Sequence, residues 1–287
     1  MRIFPFLLIV VLVLTSGCIQ TIAVSTVGGI VDEGFSAFTE ESDLRFVEQA
    51  LPGNIKLLEV LQKNDPTNER LLRLLSEGYS SYALGFLEDK EPVRAREFYL
   101  RGKEFGVRLL KVQDADVAAA LTGSPDSLKT LLTSRDKDLV PAVFWTAFGW
   151  GSFIYLSLQN TDAIADVPRV DVLMQFVADK DSAFYYAGAD LFLGTLYGSR
   201  PRLFGGDPGI SKEHFERALR ITKGNFLLAY LYYAKSYAVQ TQDQELFEKL
   251  LNTIDSTSID VLPEFRLGNA IAKEKAKLWR ARENDLF

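Results

Sequence analysis

The 287-residue chain carries 32 basic and 38 acidic residues, a formal charge of −6, which excludes nucleic acid as a partner because phosphate binding needs a basic surface. At 47% hydrophobic and 12% aromatic residues it can bury a large core, in one elongated domain or two lobes. A single cysteine and a single histidine exclude a disulfide framework and thiolate metal sites, and any His-based catalytic constellation would have to use His214.

Residues 1–17 read as a signal peptide: Arg2, an apolar run from Ile3 to Leu14 broken only by Pro5, then Thr15, Ser16 and Gly17. That run is too short for a permanent span of about 20 residues. Cys18 follows directly, and LTSGC resembles a bacterial lipoprotein box with Thr15 in place of the usual aliphatic residue. Lipidation at Cys18 is the expectation, since two or three acyl chains anchor stably at about 0.8 kcal/mol per buried methylene. Residues 18–42 mix small, β-branched and glycine residues without a helical period, and read as a lipidated tether in which a short helix touches the membrane or packs on the domain. Ile19 avoids the acidic residue that retains some lipoproteins at an inner membrane, so a periplasm-facing anchor in the outer membrane is expected.

From residue 43 to 287 the pattern is helical throughout. Apolar residues stand three and four apart between breaks such as Asp65-Pro66 and Glu91-Pro92. Pro66 ends one helix, Asn68 caps the next, and Leu71, Leu72, Leu74, Leu75, Tyr79, Tyr82 and Phe86 form its broad buried face. Ala95, Tyr99 and Gly102 make a small-large-small row on the following helix. Tetratricopeptide units are helix pairs of about 34 residues with small residues where the helices cross, and these positions fit that pattern. The register counted from Pro66 differs, however, so units longer than standard are expected. Fragments recur at Trp145–Ser152, Leu193–Tyr197, Phe215–Ala218 and Ala234–Tyr237, before the helix QELFEKLLNTI. The fold class is therefore all-α: a tetratricopeptide-like superhelix of about four helix pairs and a closing helix from Pro263 to about Asn284, its inner surface left for binding.

With these residues in view, the chain resembles the tetratricopeptide-like lipoproteins associated with TRAP transporters, the TatT proteins. The resemblance runs from Cys18 through ALPGNIKLLEVLQKNDPTNERLL, AREFYLRGKEFGVRLL, WTAFGWGSFI, GADLFLGTLYGSRPRLFGGDP and HFERAL to LGNAIAKEKAKLW. Gly188–Pro208 is its most specific part, because an ordinary unit has no such extended loop. The resemblance implies a periplasmic TRAP solute-binding protein as partner, an organic-acid or apolar ligand, a channel through each subunit, and a homotrimer.

The loop from Ser199 to Pro208 is longer than a helix pair needs. Gly205 and Gly206 permit positive φ and close backbone approach, and Arg200 and Arg202 present forks suited to a carboxylate; the same residues also suit a structural Ω-loop pinned by its own arginines. Tyr82, Phe86, Phe144, Trp145, Phe148, Trp150, Phe153 and Tyr155 read either as core or as the wall of an apolar passage. Trp145 and Trp150 are five residues apart, which puts them on different helix faces, so one of them is expected to leave the packed stripe. Arg200, Arg202, Gly205, Gly206, Trp145 and Trp150 are the ligand or partner candidates.

Arg94, Arg101 and Arg108 resemble an anion stripe, but Glu97 and Glu104 stand four residues before the last two and suit a solvated face. His214, between Glu213 and Glu216, is expected to face solvent. The spacings of Asp114 with Asp116 and Asp136 with Asp138 lack the rest of a calcium loop. No Walker loop, GxGxxG or GxSxG occurs, so neither a cofactor, a resident metal nor an enzymatic activity is implied. The leading reading is a lipid-anchored TRAP adaptor; the rival is an envelope-assembly scaffold holding peptides in its groove.

Overall fold

The computed structural model describes residues 36–287, so the signal peptide, the lipidation at Cys18 and most of the tether lie outside the described residues. Every regular element among the described residues is helical, as the spacing predicts. The principal helices are α1 (Leu44–Asn64), α2 (Glu69–Tyr82), α3 (Pro92–Gln113), α4 (Ala115–Ala120), α5 (Pro125–Thr133), α6 (Val140–Tyr155), α7 (Val167–Lys180), α8 (Phe184–Gly198), α9 (Pro208–Ile221), α10 (Leu227–Tyr232), α11 (Gln244–Ser256) and α12 (Arg266–Arg280). The last is entered through a 3₁₀ turn at Pro263–Phe265, close to the expected closing helix.

Local chemistry sets the ends. The Asp43 side chain accepts from the Phe46 amide at 3.0 Å and Asn68 accepts from Leu71 at 3.1 Å, each satisfying a donor that the first helical turn leaves orphaned. Asp114, Ser124, Asp207 and Asp243 do the same for α4, α5, α9 and α11. The Asp114 carboxylate also pairs with Arg135 at 2.5 Å. Its role is therefore a cap and a tie.

Neighbouring helices cross at small residues. Ser76 Oγ of α2 donates to the Gly102 carbonyl of α3 at 2.7 Å. A Cβ added at Gly149 of α6 would lie 2.8 Å from the Tyr99 oxygen and the Lys103 nitrogen of the α3 backbone, so those two backbones nearly touch. The α8–α9 crossing repeats the device, with Ser211 Oγ donating to the Gly194 carbonyl at 2.7 Å. The small-large-small row predicted on α3 is buried in full: Ala95, Tyr99 and Gly102 all face the core.

The core forms two clusters, one built on α1, α2 and α9–α12, the other on α4–α7 with the C-terminal half of α3. Helix α6 joins them and is buried almost all round, from Val140 to Ile154. This corrects the expectation for its tryptophans: both Trp145 and Trp150 are buried, because a helix enclosed on every side has two packed faces to offer.

Two helices widen in mid-course. Residues Ala83–Leu87 continue α2 as a π-helix, and Tyr233–Ala238 continue α10 in the same way. Helix α8 begins with a left-handed turn in which Tyr185, Tyr186 and Ala187 have φ of 46°, 58° and 59°. Such backbone costs L-residues about 1–2 kcal/mol each and persists only where the surroundings hold it. Here the surroundings are aromatic.

Candidate functional site

An apolar cavity lies between the elements just described. The space unfilled by protein atoms is about 1580 Å³ with its mouths included, yet only about 160 Å³ is wide enough to centre a water molecule. The cavity is large enough to take a small apolar ligand, since an engineered apolar cavity of about 150 Å³ binds benzene. Phe38 and Thr39, in the last part of the tether, contribute to its wall, as do Ser199 and Arg200 at the end of α8.

The wall forms because α6 and α8 present aromatic residues across a gap. Phe144 and Phe148 stack at 5.8 Å on α6, and Tyr185 stands edge-on to Trp145 at 4.7 Å. Tyr186, the next residue of the left-handed turn, stacks on Phe226 at 5.1 Å and packs against Phe265 at 4.9 Å. The turn therefore places successive tyrosines in contact with α6 on one side and with the C-terminal elements on the other, which accounts for its strained backbone. Gly188 follows because any Cβ there would meet the Phe144 ring at 2.7 Å. Burial raises the Tyr185 hydroxyl well above its ordinary pKa, with Glu77 adding to it, and pushes Tyr186 up to about 12.

The residues singled out in the sequence divide. Trp145, Phe86, Phe144, Phe148 and Tyr155 line the cavity, whereas Trp150 lies on the opposite face of α6. There its indole N–H donates to Asp166 at 3.2 Å and the Lys103 ammonium sits 3.7 Å from the ring centroid. Arg200 reaches the cavity wall, while Arg202 is exposed in a short 3₁₀ turn, so the two guanidiniums do not converge. Gly205 closes that turn at φ 80°, and a Cβ on Gly206 would lie 1.7 Å from the Arg200 carbonyl oxygen. The loop is also pinned by its own backbone, through Gly206 donating to Pro201 at 3.1 Å and Asp207 to Tyr197 at 3.0 Å.

Arg200 is half-buried, its Nε donating to the Leu196 carbonyl at 2.7 Å. Burial lowers its pKa, opposed by Asp171 and Tyr197. The Tyr197 hydroxyl in turn reaches both Asp171 oxygens, at 2.9 and 3.0 Å, and burial together with that carboxylate pushes it up to about 12. Arg200 thus stands at the wall of the apolar cavity as a partly desolvated cation, with the Asp171 carboxylate close enough to act on its charge.

The family described as TRAP transporter T-component matches residues 40–287. The chain belongs to that family. An uncharacterized protein of Treponema pallidum (strain Nichols) is 24% identical over 268 residues, covering 87% of this chain and 82% of its own length. The T-component match spans the whole described helical region apart from its first few residues, so the cavity is built from matched sequence except at Phe38 and Thr39. The resemblance read from the sequence is confirmed, and with it a place among the accessory proteins of TRAP transport.

Sequence reasoning missed three features of this T-component. Glu88 of the cavity wall forms a buried ion pair with Lys235, 147 positions away. The turn at Tyr185–Ala187 has no glycine to signal it. His214 does not face solvent: its Nδ1 lies 2.7 Å from the fully buried Asp190, which Arg217 also engages at 2.6 Å. That correction comes from tertiary contact, since the partner is on α8 while the flanking Glu213 and Glu216 suggested a wet face.

Proposed function

We propose that this T-component is the lipid-anchored, periplasm-facing member of a TRAP system, which docks the solute-binding protein and receives a slender apolar or organic-acid ligand into its cavity. The observation that carries the reading is the apolar, aromatic-walled cavity in a chain of this family. Arg200 is the residue assigned to an acid group, because a half-buried cation at the wall gains most from an anion that replaces lost water. Trp145 lines the cavity, Gly205 and Gly206 hold the loop that carries Arg200, and Arg202 is left for contact with the partner protein. Trp150 supports α6 from behind. The α2–α3 and α8–α9 pairs, each crossing at small residues, support a tetratricopeptide-like arrangement in which a superhelix presents the site. Lipidation at Cys18, outer-membrane placement and a homotrimer complete the proposal.

The test is calorimetry with a TRAP solute-binding protein from the same organism. Saturable heat at micromolar concentration is expected. No heat at high micromolar concentration, with the binding protein either loaded or empty, would contradict the docking role.

A further inference from the structure

One part of the cavity wall is not apolar. Glu88 follows the π-helical turn Ala83–Leu87, and Lys235 stands inside the π-helical turn Tyr233–Ala238. Their side chains are 8% and 4% exposed and meet at 3.2 Å. The second Glu88 oxygen accepts from the Tyr99 hydroxyl at 2.7 Å. Single π turns inside α-helices concentrate at functional sites, because they re-aim side chains at a local cost. Here both halves of one buried pair depend on such turns.

Beside the pair, the Tyr232 ring lies 4.5 Å from the Lys235 ammonium, and both Tyr232 and Glu88 line the cavity. The Tyr232 hydroxyl is buried and has no hydrogen-bond partner. Leaving such a group unsatisfied costs about 1–3 kcal/mol, so an orphaned hydroxyl on a cavity wall points to something that completes it. Charge limits what that is. Glu88 with Lys235, and Asp89 with Lys275, already balance one another. An added anion would be an uncompensated charge in an aromatic wall, whereas an uncharged oxygen would bring only a hydrogen bond. The ionisation behaviour agrees. Burial alone would raise Glu88, yet Lys235, Lys275 and the Tyr99 hydrogen bond hold it below the ordinary glutamate value, so the pair stays charged and self-neutralised.

We propose that Glu88, Lys235 and Tyr232 form a subsite for an uncharged oxygen function, a hydroxyl, carbonyl or ester, on an otherwise apolar ligand, with Tyr232 making the hydrogen bond. This rests on the cavity reading above and adds to it: an acid group belongs at Arg200, and a neutral oxygen belongs here.

The experiment uses the mature chain and the slender, uncharged fluorescent probe 1,6-diphenyl-1,3,5-hexatriene, displaced by 1-decanol or by decanoate, in wild type and Tyr232→Phe. Loss of one hydrogen bond predicts decanol binding weakened about two- to twelvefold, at about 0.5–1.5 kcal/mol for the bond. Probe affinity and decanoate displacement are expected to stay unchanged, and thermal stability to stay level or rise, since no protein contact is removed. Equal decanol displacement in the two proteins would overturn the subsite. So would a larger loss for decanoate than for decanol, or a fall in stability matched by an equal loss of probe affinity, which would make the hydroxyl structural. Failure of the wild type to take up the probe at all would instead overturn the cavity reading, and this proposal with it.

Discussion

Replacing Lys235 with Met tests the energetics of the buried pair. At 3.2 Å and an effective dielectric near 20, the attraction between Lys235 and Glu88 is about 5 kcal/mol. Most of it is offset by stripping water from two groups that are almost fully covered. Lys235→Met removes the attraction but leaves the Glu88 carboxylate buried with only the Tyr99 hydroxyl and the more distant Lys275 to hold its charge. The expected cost is about 3–5 kcal/mol. The double variant Glu88→Gln with Lys235→Met removes both charges at once, and should lie within about 1–2 kcal/mol of wild type. The assay is urea unfolding followed by far-UV circular dichroism, with the three variants run as a double-mutant cycle. Single-variant costs below about 1 kcal/mol, or a double variant that costs the sum of the singles, would refute the reasoning.

The same pair sets a pH dependence. Glu88 is held below its ordinary value in the folded protein, so its contribution is fully present above the unfolded glutamate pKa and is lost as pH falls through the folded one. The stability gap between wild type and Glu88→Gln should be widest near neutrality and close on acidification; a gap that widens in acid would contradict it. Gly149→Ala forces the α3 and α6 backbones apart and should cost about 1–3 kcal/mol in urea unfolding, whereas Gly53→Ala, with nothing within 4 Å of the new methyl in α1, should gain about 0.5–1 kcal/mol. Lys223 is exposed at φ 52° after α9, so Lys223→Gly should raise the melting temperature through about 1 kcal/mol of relieved backbone strain.

How much was legible follows from the range of each signal. Caps and crossings are local: Asn68 caps three residues ahead, and Ala95, Tyr99 and Gly102 share one helix face, so spacing alone located them. The loop after α8 announced itself through its length and paired glycines, and Arg200 was found there; that Arg202 stays exposed while Arg200 is half-buried is a matter of tertiary packing. The π turns left no trace, because one inserted residue shifts the helical period too little to read in a short window. The left-handed turn was invisible because tyrosine and alanine do not advertise positive φ, and their conformation is imposed by Phe144, Trp145, Phe226 and Phe265. His214 and Lys235 were misjudged or overlooked for a common reason: their partners Asp190 and Glu88 come from other helices, and periodicity carries no information about contacts between elements.

The central claim joins a docked solute-binding protein to a ligand in the cavity, and one pull-down addresses both. Tagged residues 19–287 would be recovered from periplasmic extract as wild type and as Thr195→Trp, a substitution that puts an indole into the cavity wall, with mass spectrometry of proteins and small molecules. The account predicts that both proteins bring down a TRAP solute-binding protein, and that only the wild type carries a slender apolar molecule. Recovery of envelope-assembly factors in place of the solute-binding protein, or the same cargo in both proteins, would contradict it.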